Sequence, residues 1–128
     1  DISKKLVLSS KKRLIYNRAK IYLINVPGIF EIPIVIKKNI RKFDGFIALG
    51  CVIKGQTPHF DLICSSTFTS ILNLSINFNK PIGNGIITAY NMKQALQRCK
   101  NTISKKPNKG LEAANAVMSI LFNGPKKI

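Results

Sequence analysis

Three apolar runs constrain this chain most: Lys20 to Val26 (KIYLINV), Gly45 to Ile53 (GFIALGCVI) and Ile82 to Thr88 (IGNGIIT). A strand with one wet face alternates apolar and polar residues, whereas an unbroken run suits a strand buried on both faces. The intervening segments repeat at helical spacing. Ser3 to Ala19 carries Leu6, Leu14 and Ile15; Glu31 to Lys42 carries Ile32, Val35, Ile36 and Ile40, with Pro33 in the first turn, where proline is tolerated. Asp61 to Phe78 places Ile63, Phe68, Ile71, Leu72 and Ile76 inward, and Met92 to Ile103 and Leu111 to Leu121 add two more helices. This alternation predicts an α/β three-layer sandwich, a mostly parallel central sheet with helices on both faces. The 128 residues suit one domain, residues 1–128. In such folds ligands sit at the carboxyl ends of the strands.

Composition excludes several classes. Apolar residues make up 45% of the chain, too many for a disordered one. No apolar run approaches the ~20 residues of a membrane span, and the start does not read as a signal peptide. Cys51, Cys64 and Cys99 are odd in number and lack metal-ligand spacing, which suits reduced thiols in a cytoplasmic protein; no metal is implied. The net charge of +16 invites a nucleic-acid reading. Against it, Lys outnumbers Arg 17 to 4 and the lysines lie in scattered pairs without interleaved aromatics. Coding bias on a tolerant surface accounts for that pattern, so neither nucleic acid nor membrane is expected as a partner.

Three segments carry candidate chemistry, each at or after a strand. In Val26-Pro27-Gly28-Ile29-Phe30-Glu31-Ile32-Pro33 a turn precedes a carboxylate opening a helix. Glu31 serves either the helix dipole or a ligand, and the pattern does not separate the two. In Gly50 to Asp61 (GCVIKGQTPHFD) a strand runs into Gly55, Thr57, the chain's one histidine, His59, and then Asp61. Backbone N–H groups at such a turn can cradle an oxyanion, and an imidazole beside them is placed for proton transfer. The plainer reading makes Asp61 a cap and His59 a packing residue; the grouping at a strand end favours function. The third segment joins Gln94 to Arg98 with Asn108 to Ala114. Arg98 is one of four arginines, and its planar fork suits phosphate better than an ammonium does. A solvated helix residue is the alternative.

Together VPGIFEIP, ALGCVIKGQTPHFD, PIGNGIIT with QALQR, and NKGLEAA resemble the lumazine synthase family, in order and at near-identical spacing over about residues 1–121. The resemblance implies a flavodoxin-like fold and a transferase of riboflavin biosynthesis. That enzyme condenses 5-amino-6-(D-ribitylamino)uracil with 3,4-dihydroxy-2-butanone 4-phosphate to give 6,7-dimethyl-8-ribityllumazine, phosphate and water, without a cofactor. By position, Ile29, Phe30 and Glu31 match residues that hold the pyrimidine, Glu31 bonding its ribityl chain. Cys51, Val52 and Ile53 match the strand end lining its ring, and Asn84 falls where many members place an aromatic. Gln56, Thr57, Arg98 and Lys109 match the keto-phosphate site, and His59 matches the proton-transfer residue.

Departures are also visible. The chain begins just after the family's N-terminal strand, which carries a ring-stacking aromatic. Asn84 lacks a ring, and Tyr90 and Ser66 replace carboxylates usual in relatives. The resemblance further implies a pentamer with active sites between subunits and riboflavin synthase as a candidate partner. Ten residues separate Arg98 from Lys109, including Ser104-Lys105-Lys106-Pro107. This is longer than the tight turn of shell-forming relatives, so an isolated pentamer is expected, with a pair of pentamers as the alternative.

Overall fold

A computed structural model describes residues 1–100 and 107–128. The elements run α1 (Ile2–Tyr16), a 3-10 turn (Ile29–Glu31), α2 (Ile32–Lys38), β1 (Phe46–Ile53), α3 (His59–Phe78), β2 (Ile82–Ala89), α4 (Met92–Gln97) and α5 (Lys109–Phe122). Strands β1 and β2 pair in parallel from Phe46–Ile82 through Ile53–Ala89, with α3 as the crossover. Side chains alternate across this ladder. Ala48 and Ile86 face α2 and α3, in a core with Ile29, Ile32, Ile36, Ile40, Cys64 and Ile71. Ile87 and Ala89, with Leu49, Cys51 and Ile53, face the other way, against Leu6, Ala95 and Cys99. Both faces are covered, as the unbroken apolar runs require.

Local chemistry sets the helix ends. The Asp1 side chain accepts from the Ser3 N–H at 3.0 Å and starts α1. Asn91 Oδ1 accepts from the Gln94 N–H at 2.9 Å while Gln94 Oε1 accepts from the Tyr90 N–H at 2.8 Å, a reciprocal cap that starts α4. Asn108 Oδ1 accepts from the Leu111 N–H at 3.0 Å, so α5 opens at Lys109, two residues before the periodicity places it. Helix α3 ends in the left-handed conformation at Asn79, φ 54°.

Four expectations are corrected. Lys20–Val26 forms no strand, and Ile21, Tyr22, Leu23 and Ile24 are exposed. A strand needs a neighbour for its N–H and C=O groups, and β1 and β2 form a two-stranded sheet without it. The segment is tied down instead by Tyr22 against Phe43, ring centroids 5.1 Å apart. Leu72 and Ile76, expected inward, are exposed, because α3 turns Cys64, Thr67 and Ile71 to the core. Helix α2 stops at Lys38, where Asn39 caps it and its amide donates to the Val35 carbonyl at 2.8 Å. Helix α4 likewise stops at Gln97, where Arg98 caps it, well short of the expected Ile103; residues 101–106 of that expectation lie outside the described ones.

Glycines let α5 lie close on the sheet. A Cβ at Gly83 would stand 2.3 Å from the Ala113 carbonyl oxygen, and one at Gly110 would stand 2.5 Å from that of Leu6. Neither oxygen can move without its helix. Gly83→Ala is therefore expected to lower stability by roughly 1–3 kcal/mol. Gly124→Ala, with nothing near the new methyl, should stay within about 0.5 kcal/mol. Urea midpoints check both; an unchanged midpoint for Gly83→Ala would contradict this packing.

Candidate active site

The carboxyl end of β1 builds the site. Pairing persists one residue past the strand, where the Lys54 N–H donates to the Ala89 carbonyl at 2.8 Å. The chain then turns through Gly55 to Pro58, and α3 begins at His59. His59 thus stands in the first turn of a 20-residue helix, exposed, with Asp61 two residues on complementing the helix dipole.

Opposite lies the 3-10 turn. The Glu31 N–H donates to the Gly28 carbonyl at 3.3 Å, and Glu31 Oε2 folds back to 3.2 Å from where a Gly28 Cβ would stand. Ile29 anchors the turn in the core; its Cγ2 would meet a Cβ at Gly50 at 2.9 Å. Phe30 projects outward, exposed. Between turn, strand and helix opens a cleft of about 570 Å³ lined by Val26 to Ile32, Leu49 to Val52, and His59, Phe60 and Ile63.

Of the residues expected from sequence, Ile29, Phe30, Glu31, Cys51, Val52 and His59 share this cleft. Ile53 lines a separate hollow with Met92 and Leu96, on the opposite face of the sheet, and Cys51 borders both. Gln56 and Thr57 lie exposed on the turn between strand and helix, outside the cleft lining. Asn84 pairs with Ala48 on the face that carries Gly50 and Val52, and its Oδ1 accepts from the Ile86 N–H at 3.1 Å.

Arg98 and Lys109 are not in the cleft. They meet at Glu112, in the first turn of α5: Arg98 Nη2 lies 3.3 Å from Oε2 and Lys109 Nζ 3.3 Å from Oε1. Arg98 Nε also donates to the Pro107 carbonyl at 3.2 Å, and the Lys109 N–H to the Arg98 carbonyl at 2.7 Å. Sequence reasoning missed Phe60 and Ile63 as walls of the cleft. Their spacing of three from each other, continued at Thr67 and Ile71, is the signal that places them on the sheet-facing side of α3.

Burial pushes the Cys51 thiol above its usual range, and neighbouring Cys99 adds to the shift. Cys64 is raised by burial first and by the Asp61 carboxylate second. Both thiols stay protonated at neutral pH, which removes them as nucleophiles and leaves Cys51 as an apolar wall. Among the described residues no group of three His, Cys, Asp or Glu side chains could hold a metal ion, and no helix is long and apolar enough to cross a membrane.

The cleft lining thus includes an imidazole and a carboxylate beside the end of a parallel strand. The model of the 6,7-dimethyl-8-ribityllumazine synthase family matches residues 1–123. This chain belongs to that family. A Campylobacter curvus protein named 6,7-dimethyl-8-ribityllumazine synthase is 40% identical over 107 residues, 82% of this chain and 67% of its own length. The Campylobacter jejuni protein of that name is 44% identical over 101 residues, 77% of this chain and 64% of its own. One from Desulfovibrio desulfuricans is 40% identical over 101 residues, covering 77% and 63%. The chain thus spans about two thirds of the length of these lumazine synthases.

Proposed function

We propose that the protein is a transferase that condenses 5-amino-6-(D-ribitylamino)uracil with 3,4-dihydroxy-2-butanone 4-phosphate, releasing 6,7-dimethyl-8-ribityllumazine, phosphate and water. The observation that carries this reading is the single cleft that joins Glu31, the Cys51–Val52 strand end and His59. The shared name of the lumazine synthases it resembles adds support.

In this reading the pyrimidine lies against Cys51 and Val52, with Ile29 and Phe30 beside it, while Ile53 backs the strand end from the other face. Glu31 accepts hydrogen bonds from ribityl hydroxyls, and Asn84 takes the position at which the resemblance places a group against the ring. Gln56 and Thr57 present the turn to the phosphate. An amine adds to the ketone and loses water to an imine, phosphate is eliminated, and ring closure loses a second water. His59 moves protons in these steps, a contribution of roughly 10²–10⁴ in rate. Holding both substrates in register supplies much of the remainder.

Arg98 and Lys109 belong to this chemistry if a second copy presents them to the cleft. Their own copy holds them elsewhere, beside Glu112. Exposed apolar side chains are consistent with partner copies: Leu62, Leu72 and Ile76 on α3, Ile120 and Phe122 on α5, and Ile21 to Ile24. We assign the assembly as a cytoplasmic pentamer with sites between subunits, with riboflavin synthase as a candidate partner. The long Arg98–Lys109 connection favours an isolated pentamer over a shell; its residues 101–106 lie outside those described, so its length and lysines carry this point. At +16 per chain, repulsion between pentamers acts in the same direction at low salt.

Four measurements test the proposal. Mixing the protein with both substrates should produce lumazine fluorescence. Arg98→Ala should weaken use of the keto-phosphate by roughly 1.5–3 kcal/mol. His59→Ala should slow turnover while leaving pyrimidine binding largely intact. Unchanged kinetics in Arg98→Ala, or lost pyrimidine affinity with full kcat in His59→Ala, would overturn the corresponding role. Sedimentation at physiological salt should give five subunits, or ten for a pair of pentamers. A particle near sixty would refute the loop argument.

A further inference from the structure

Glu112 is the one carboxylate bound to both cations assigned to the keto-phosphate. An arginine offers five N–H donors in two usable edges: a side edge, Nε with Nη2, and an end fork, Nη1 with Nη2. The side edge of Arg98 is occupied, Nε–H by the Pro107 carbonyl and Nη2–H by Glu112 Oε2. Among the described residues nothing bonds the end fork. Pro107 alone fixes one point and leaves the guanidinium plane free to swing about it. Glu112 supplies the second point, and its other oxygen holds Lys109 Nζ on the same side. The carboxylate is itself fixed by α5, whose start is set by Asn108 and whose approach to α1 is set by Gly110.

We propose that Glu112 is a positioning residue that presents the end fork of Arg98, with Lys109 beside it, to the phosphate of the keto-phosphate substrate. This rests on the reading of Arg98 as the phosphate-binding side chain. Simple charge counting gives the opposite expectation. A carboxylate beside two cations repels a phosphate, so its removal should tighten binding. Orientation decides the sign here, because bidentate recognition requires the planar fork to be aimed. The side chain is about half exposed, so solvent screens the repulsion while the geometric constraint stays.

The test compares Glu112→Ala and Glu112→Gln with the parent and with Arg98→Ala. Inorganic phosphate binding is measured by calorimetry, and KM for each substrate by lumazine formation. Glu112→Ala should weaken phosphate and raise the keto-phosphate KM about 5-fold, the scale of one exposed ion pair. Its pyrimidine KM and thermal midpoint should stay near the parent's. Glu112→Gln keeps an acceptor oxygen for Arg98 Nη2 without the charge, and should return to within about 2-fold of the parent. Tighter phosphate binding in both variants would show a repulsive counter-charge and overturn the proposal, as would no change in Glu112→Ala. Equal rises in both KM values would reduce Glu112 to a structural residue and also overturn it. Parent-like phosphate binding in Arg98→Ala would instead remove the reading on which the proposal rests.

Discussion

The parallel ladder between Phe46–Ile53 and Ile82–Ala89 is the constraint from which the rest of the molecule follows. A parallel pair cannot leave a face wet, so helices must cover both sides and the crossover must be long enough to return the chain. Helix α3 serves both needs, and its start is therefore placed just beyond the end of β1. His59 stands at the strand end because the fold brings the chain there. On the other face, α5 reaches the sheet only because Gly83 and Gly85 lack side chains. That close approach, with Gly110 against α1, fixes where the first turn of α5 and its Glu112 lie.

The same architecture divides the polar chemistry between two places. Glu31 and His59 both line a cleft walled largely by apolar side chains, while Arg98 and Lys109 share a carboxylate elsewhere. Two cations against one carboxylate leave a net positive charge beside the start of α5, a setting suited to an anion. For the proposed reaction between a pyrimidine and a phosphorylated ketone, neither place alone would suffice. The proposed subunit interface would unite them and cover the exposed apolar surface of α3 and Ile21–Ile24.

Much of this was legible in the sequence, for identifiable reasons. Gly45 to Ile53 and Ile82 to Thr88 are apolar on both faces, and both became strands within a residue or two of the expected ends. Among the cleft members, Glu31 and His59 were readable because each follows a turn, and Ile29, Phe30, Cys51 and Val52 because their segments match the family's blocks. Lys20 to Val26 misled because an apolar run encodes a preference for burial without naming the neighbour that provides it. Leu72 and Ile76 misled because a wide apolar stripe on a 20-residue helix does not say which part faces its own sheet. The Glu112 bridge was invisible because it joins Arg98 to a residue fourteen positions away, a spacing that no helix or strand periodicity signals.

The central claim, that one copy supplies the cleft and another the phosphate-binding cations, is tested most directly by complementation. His59→Ala and Arg98→Ala each disable a different half of the site. Unfolded together and refolded as mixed assemblies in equal amounts, they should regain activity at about a quarter of their sites, those pairing an intact His59 with an intact Arg98 from a neighbour. Mixed assemblies no more active than the two variants measured separately would contradict a site shared between copies and return Arg98 to its own subunit.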